Sequence, residues 1–322
     1  MANPSKKATA AFWVTIAMLA MVIVPAGVTL HTIKTSALRS DIPADASRYG
    51  YTVSLLLFIV PSLVIAFWFL PGEGVRISRR AFGWTIGLLF PLGAILDFFL
   101  AQYFFVFPNE AATLGIKAPA LGHWVPIEEY AFYLTGFIVV VLFYIWLDEY
   151  WLAAYSVPET DARRITFDRL LRFHPTSLIL AVVLIGAAFF FERVIAHNAT
   201  KIPGYFIFLV LFTLIPSTAF LPTARPVINW RALSLTMFIM LITSLLWEVT
   251  LALPYGWWNF RDEQMLDLRI TAWAQLPIEE VYVWIAVTYT SVIVYEIVKR
   301  WKGSGKSAMH AFIGKGNATA SE

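Results

Sequence analysis

The chain has 322 residues, of which 59% are hydrophobic and only 14% are charged. Soluble globular domains carry about 25% charged residues, so this composition excludes an ordinary soluble domain and indicates an integral membrane protein. The net charge of +3 does not indicate a nucleic-acid partner, because the basic residues are spread through short loops, and the absence of cysteine excludes disulfides and thiolate metal sites.

Eight apolar segments are long enough to cross the hydrocarbon core as helices, which takes about 20 residues. They lie near residues 10–30, 51–70, 82–106, 126–147, 177–195, 204–221, 232–254 and 277–298. Backbone groups in lipid must be bonded within their own segment, and these segments lack the alternation of barrel strands. We therefore predict an all-α membrane protein, and we expect its first segment to be a retained helix rather than a signal peptide.

The loop charges predict the orientation of the chain. Of its 24 Lys and Arg residues, 16 lie in the loops and ends on the side that holds both termini. This bias places both termini in the cytoplasm. We expect the protein to be integral to the cell (inner) membrane. Residues 302–322 are polar, basic and rich in small residues, so we expect a disordered cytoplasmic tail.

A short motif, Pro-Ile-Glu-Glu, occurs twice, at residues 126–129 and 277–280, each time at the head of an apolar segment. The same offset of 151 residues carries Asp97 onto Glu248 and Tyr144 onto Tyr295. We therefore predict two parallel repeats of four helices each, residues 1–150 and 151–301.

Six carboxylates fall in or just inside the predicted helices. An ionised acid at the bilayer centre costs about 2.5–3.5 kcal/mol on insertion scales, so such acids usually face a cavity or a partner. Proline followed by acids is also an ordinary way to begin a helix, but that explanation does not require the acid that lies 29 residues before each motif. We expect the six to converge in the outer half of the membrane: Asp97, Glu128, Glu129, Glu248, Glu279 and Glu280.

Aromatic residues accompany the acids. Tyr133 lies one helical turn after Glu129, and Trp284 lies one turn after Glu280. A buried acid next to a ring suits a site that protonates an alkene, because burial favours the protonated acid and ring faces attract cations. Four more residues are candidates either for cation stabilisation or for the interfacial aromatic belt, namely Trp124, Trp257, Trp258 and Trp273.

These segments resemble the non-flavin lycopene cyclases, which occur as paired membrane subunits in some bacteria and as one fused chain in archaea and fungi. The resemblance lies in DFFLAQYFF and GHWVPIEEYAFY in the first half and in WEVTLALPYGWW and AWAQLPIEEVYVW in the second. It covers roughly a third of the chain, at 90–147 and 240–298. Family members usually have six or seven helices and Pro-Leu-Glu-Glu motifs, whereas this chain has Ile127 and Ile278.

The resemblance implies an intramolecular lyase or isomerase that closes ionone rings at the ψ ends of lycopene without net redox change and without a cofactor or metal. The substrate would be a lipophilic isoprenoid or carotenoid from the bilayer. Adjacent helix residues point about 100° apart, so the two Glu of a pair have different tasks. The implied roles are acid and base for Glu129 and Glu280, tuning for Glu128 and Glu279, and proton relay for Asp97 and Glu248.

Other functions remain open at this point. A carotenoid hydratase or another terpenoid cyclase would begin from the same carbocation. A proton-coupled transporter also places acids inside parallel repeats. A di-iron or zinc centre is disfavoured, because none of the five histidines lies four residues from another. The oligomeric state is left open.

Overall fold

The computed structural model describes residues 47–69, 78–157 and 168–314. Seven helices in this part of the chain are long and apolar enough to cross a membrane. They begin with α1 (Gly50–Val64), α2 (Arg79–Phe104), α3 (Ile127–Trp146) and α4 (Pro175–Phe190), and continue with α5 (Gly204–Ala224), α6 (Trp230–Trp247) and α7 (Ile278–Ser304). Seven predicted segments are thus helical, and the segment near 10–30 lies outside the described residues.

Four of these helices end in a π-helical turn. These turns are Ile65–Phe69 after α1, Leu147–Trp151 after α3, Phe191–Ile195 after α4 and Glu248–Ala252 after α6. A π turn widens the helix by one residue and often occurs at functional sites. The turn after α6 begins at Glu248, one of the predicted acids.

Helix α7 is the centre of the bundle. It packs against α2, α3, α5 and α6, and it is the most buried of the seven spans. The outer faces of α1 and α4 instead expose large apolar side chains, among them Leu57 and Val182, which are 69% and 65% exposed. Such faces are expected where a helix contacts lipid rather than water.

Three short antiparallel ladders, which the sequence pattern does not predict, join the helix ends. Strand β1 (Phe105–Val106) pairs with β4 (Asn259–Phe260), β2 (Lys117–Ala120) with β3 (His123–Pro126), and β5 (Arg269–Ile270) with β6 (Leu276–Pro277). Strands of two to four residues are too short to produce a visible alternation of side chains. Pairing β1 with β4 ties the segment after α2 to the segment after α6.

The expected disorder of residues 302–322 is wrong for the part that the structure describes. Helix α7 continues to Ser304, and a short helix, α8 (Ala308–Ile313), follows. Ala311 is buried, and its carbonyl accepts a hydrogen bond from the N–H of Leu170 at 2.8 Å. Phe312 packs against Trp301 with the ring centroids 5.6 Å apart. These apolar contacts order a segment whose overall composition is polar, and residues 315–322 lie outside the described part.

Candidate active site

The two Pro-Ile-Glu-Glu motifs form matching helix starts. Helix α3 begins directly after Pro126, and the N–H of Ile127 donates to the carbonyl of Ile116 at 2.9 Å. Helix α7 begins directly after Pro277, and the N–H of Ile278 donates to Leu268 at the same distance. Both Glu pairs therefore lie in a first helical turn, where the helix dipole favours negative charge.

Glu128 and Glu279, the first Glu of each pair, hold the connecting segments. The Oε1 atom of Glu128 accepts hydrogen bonds from Thr52 Oγ1 at 2.5 Å and from the N–H of Leu114 at 2.7 Å. The Oε1 atom of Glu279 accepts one from the N–H of Leu266 at 2.5 Å. Neither residue lines the cavity described next, so their direct contacts are structural.

The second Glu of each pair lines a cavity inside the bundle, which we call lobe 1. Lobe 1 has a volume of about 70 Å³. One water molecule needs about 10–15 Å³ on the same measure. Glu129, Glu248 and Glu280 contribute its carboxylates. The rest of the wall is mostly aromatic and includes the rings of Tyr51, Phe132, Tyr133, Trp258 and Trp284.

Each helix-start acid of lobe 1 has a tyrosine partner. The hydroxyl of Tyr51 donates to Glu129 Oε1 at 2.7 Å, and both side chains are buried. The hydroxyl of Tyr205 is within hydrogen-bonding reach of Glu280. The same Tyr–Glu contact therefore occurs at the start of α3 and at the start of α7.

Glu248 and Glu280 form a pair of carboxyl groups. Glu248 is 1% exposed, and its Oε1 atom accepts a hydrogen bond from the indole N–H of Trp284 at 2.9 Å. Its carboxyl group also lies within hydrogen-bonding reach of Glu280. With both groups ionised, Glu248 Oε2 and Glu280 Oε1 would have no donor among the described residues. A hydrogen bond between two carboxyl groups requires a proton, because ionised carboxylates only accept.

A second cavity, lobe 2, adjoins lobe 1. Its volume on the same measure is about 50 Å³. The two lobes share six lining residues, Phe105, Tyr133, Phe137, Tyr205, Val283 and Val287. Asp97 lines lobe 2 at 2% exposure, and neither of its carboxylate oxygens has a hydrogen-bond partner in the described part of the chain.

Asp97 is close enough to Glu129 and Tyr133 to interact with them electrostatically. Four of the six predicted acids therefore surround one two-lobed space. Asp97 lines lobe 2, and the other three lining acids are in lobe 1.

The predicted aromatic residues divide into two groups. Tyr133, Trp258 and Trp284 line the cavity. Three others, Trp124, Trp257 and Trp273, line neither lobe, and their surroundings explain why.

Trp124 lies on strand β3 and is 66% exposed. Trp257 stacks on the ring of Tyr51, 5.8 Å between centroids, and its indole donates to Ser47 at 2.9 Å. Trp273 packs against the apolar cluster around Leu276. In these positions the three side chains contact the protein or the surroundings rather than the cavity walls.

Tyr51 and Tyr205 were missed by the sequence analysis, although the chain carries a signal for them. Gly-Tyr opens α1 at residues 50–51 and α5 at residues 204–205, and Pro-Ser follows at 61–62 and 216–217. The Gly-Tyr offset is 154 residues rather than 151, so an ungapped alignment on Pro-Ile-Glu-Glu places Tyr51 opposite Ile202. Allowing a three-residue gap would have paired the two tyrosines.

Comparison with models of known protein families, with curated proteins and with solved structures finds no match. The resemblance to the non-flavin lycopene cyclases therefore rests on the motif residues alone. Among the described residues, no group of three or more His, Asp or Glu side chains has an arrangement that could hold a metal ion.

Proposed function

We propose that this membrane protein is an isoprenoid cyclase similar to the non-flavin lycopene cyclases, and that it closes a ring by moving protons without net redox change. The observation that carries this proposal is the convergence of Glu129, Glu248, Glu280 and Asp97 on an aromatic-lined cavity within the span of the membrane helices. Acids in a dry site can exchange protons with an alkene, and ring faces stabilise the cation between those steps.

In this proposal one set of acids donates the proton and another accepts it. The Glu248–Glu280 pair donates its shared proton to the terminal double bond and leaves a tertiary carbocation. The next double bond along the chain attacks that cation, which forms the carbon–carbon bond of a six-membered ring and moves the positive charge into the ring. Glu129, held by the hydroxyl of Tyr51, takes the proton that the ring cation loses. The substrate is isomerised, and one proton must return from Glu129 to the pair.

The finer architecture belongs to the same proposal. Eight helices in two parallel repeats, with both termini in the cytoplasm of the cell (inner) membrane, would place the acids toward the outer side. Two matched contacts support the repeat, since Leu114 binds Glu128 and Leu266 binds Glu279 through the backbone N–H. Glu128 and Glu279 then act by fixing the helix starts rather than by exchanging protons.

The test is expression in a host that accumulates lycopene, with separation of the pigments by chromatography and mass spectrometry. A product of unchanged mass that absorbs at shorter wavelength supports the proposal. A gain of one water would instead indicate a hydratase, and unaltered lycopene would overturn carotenoid cyclisation and favour another substrate or a proton-coupled transporter.

Matched variants test the site itself. Glu129→Gln and Glu280→Gln should each abolish conversion while the protein remains in the membrane at normal levels. Glu110→Gln is the control, because the side chain of Glu110 is 73% exposed in its ion pair with Lys117. Full conversion by either cavity variant would remove that residue from the mechanism.

A further inference from the structure

Lobe 2 lies between α2 and α5. On the α2 side its wall includes Leu96 and Leu100, and on the α5 side it includes Phe208 and Phe212. Side chains of α3 and α7 form the wall that it shares with lobe 1. Lobe 2 is therefore an extension of the acid-lined space toward these two helices.

The boundary between α2 and α5 faces the outside of the bundle. Both helices pack against α7, but they make no extensive backbone contact with each other. Leu96 and Phe212 are half-buried, while their neighbours Ile95 and Leu211 are 54% and 40% exposed. Within a membrane-spanning bundle, such exposed apolar positions contact the acyl chains of lipids. Among the described residues, the side chains that line lobe 2 on this side, such as Leu96 and Phe212, are thus apolar and half-buried.

The lining of lobe 2 is suited to a hydrocarbon chain. Leucine, valine, alanine and phenylalanine provide most of it, and its carboxylate, Asp97, has no hydrogen-bond partner in the part of the chain that the structure describes. Lobe 1 has room for a few water-sized groups, which is enough for a reacting end but not for a long polyene. The remainder of such a substrate must leave lobe 1 through an adjoining space, and lobe 2 adjoins it along six shared residues.

We infer that lobe 2 binds the linear isoprenoid chain of the substrate, and that the chain enters from the bilayer through the gap between α2 and α5. The substrate class rests on the proposed function, whereas the route rests on the packing of the helices. Asp97, which lines lobe 2, then lies beside the part of the chain next to the new ring.

The native chain has no cysteine, so a single introduced thiol can close the gap after the protein has folded. The full-length Leu100→Cys protein is reconstituted in phosphatidylcholine and phosphatidylglycerol vesicles and treated with benzyl methanethiosulfonate, whose adduct dithiothreitol removes. A geranylgeraniol analogue carrying a diazirine is then photolysed in the bilayer, and mass spectrometry locates the labelled peptides. Ile95→Cys is the matched control, because Ile95 lies on the same helix but lines neither lobe.

We expect the unmodified protein to be labelled around residues 96–101 and 208–212. The benzyl adduct at position 100 should lower this labelling about tenfold, equivalent to about 1.4 kcal/mol of binding free energy, and reduction should restore it. The adduct at position 95 should have no effect. Labelling confined to other helices, or labelling unaffected by the adduct at position 100, would overturn the inference.

The two proposals fail in different ways. Labelling in the gap together with unaltered lycopene in the host would reject the proposed reaction and keep the chain-binding site. Conversion of lycopene that continues undiminished with the adduct at position 100 would keep the reaction and reject the route.

Discussion

Replacing Glu248 tests whether the Glu248–Glu280 pair holds a proton. In Glu248→Gln, the amide oxygen still accepts from the indole of Trp284, and the amide N–H can donate to Glu280 in place of the shared proton. We therefore expect the free energy of unfolding to change by less than about 1 kcal/mol, because every buried partner keeps a hydrogen bond. Conversion should nevertheless be lost, because an amide cannot deliver the proton.

Glu248→Ala is the matched destabilising variant. It removes the carboxyl group that accepts from the Trp284 indole at 2.9 Å and that pairs with Glu280. The side chains of Trp284 and Glu280 are both buried. Leaving one buried polar group unsatisfied costs about 1–3 kcal/mol, so the two losses together should cost about 2–6 kcal/mol before any cavity cost. Unfolding in detergent micelles, followed by tryptophan fluorescence as temperature rises, compares the three proteins.

The outcomes of this comparison separate the possible states of the pair. If both carboxyl groups were ionised, Glu248→Gln would relieve a buried repulsion and stabilise the protein by more than about 1 kcal/mol. If the carboxyl groups made no hydrogen bond to each other, the amide N–H at position 248 would be buried without an acceptor, and the glutamine variant would be destabilised by about 1–3 kcal/mol. Either result would refute the shared proton.

Two further predictions concern the walls of the cavity. Tyr51→Phe removes a buried hydroxyl that donates to Glu129, so it should lower the free energy of unfolding by about 1–3 kcal/mol. The control Tyr130→Phe removes an exposed hydroxyl and should change the free energy of unfolding by less than about 0.5 kcal/mol. Equal losses for the two variants in the same micelle assay would contradict the Tyr51–Glu129 contact. Gly93→Ala places a new Cβ 3.1 Å from the rings of Tyr133 and Phe137 on α3, so it should destabilise the protein by about 1–3 kcal/mol. The control Gly87→Ala lies on the same helix and faces open space, so it should stabilise the protein by about 0.5–1 kcal/mol. Tolerance of alanine at position 93 would show that these rings can move.

The sequence predicted the helices well, because hydrocarbon thickness alone determines how long an apolar segment must be. The ends of α2, for example, fall within three residues of the predicted ones. Helical geometry also separated the members of each Glu pair, since Glu129 and Glu280 line the cavity and their neighbours do not.

Contacts between segments that are distant in the sequence were harder to predict. The tyrosine partners depend on which turn of α1 lies beside α3, and packing rather than composition decides that register. Trp124 could not be distinguished from Trp258 by residue type, because tryptophan is common both at membrane surfaces and in apolar sites. The order of α8 depends on Ala311 meeting Leu170, a contact between segments far apart in the chain.

The repeated Tyr–Glu contact has a consequence for stereochemistry. Its two copies face the same space, but one copy has Glu248 and an indole beside it, and the other has Asp97, whose oxygens accept no hydrogen bond from the described residues. Under the proposed function, a flat alkene held between them would meet a proton donor on one side and a proton acceptor on the other. Proton addition and proton loss would then occur from fixed and different faces, so a single mirror-image form of any new stereocentre is expected.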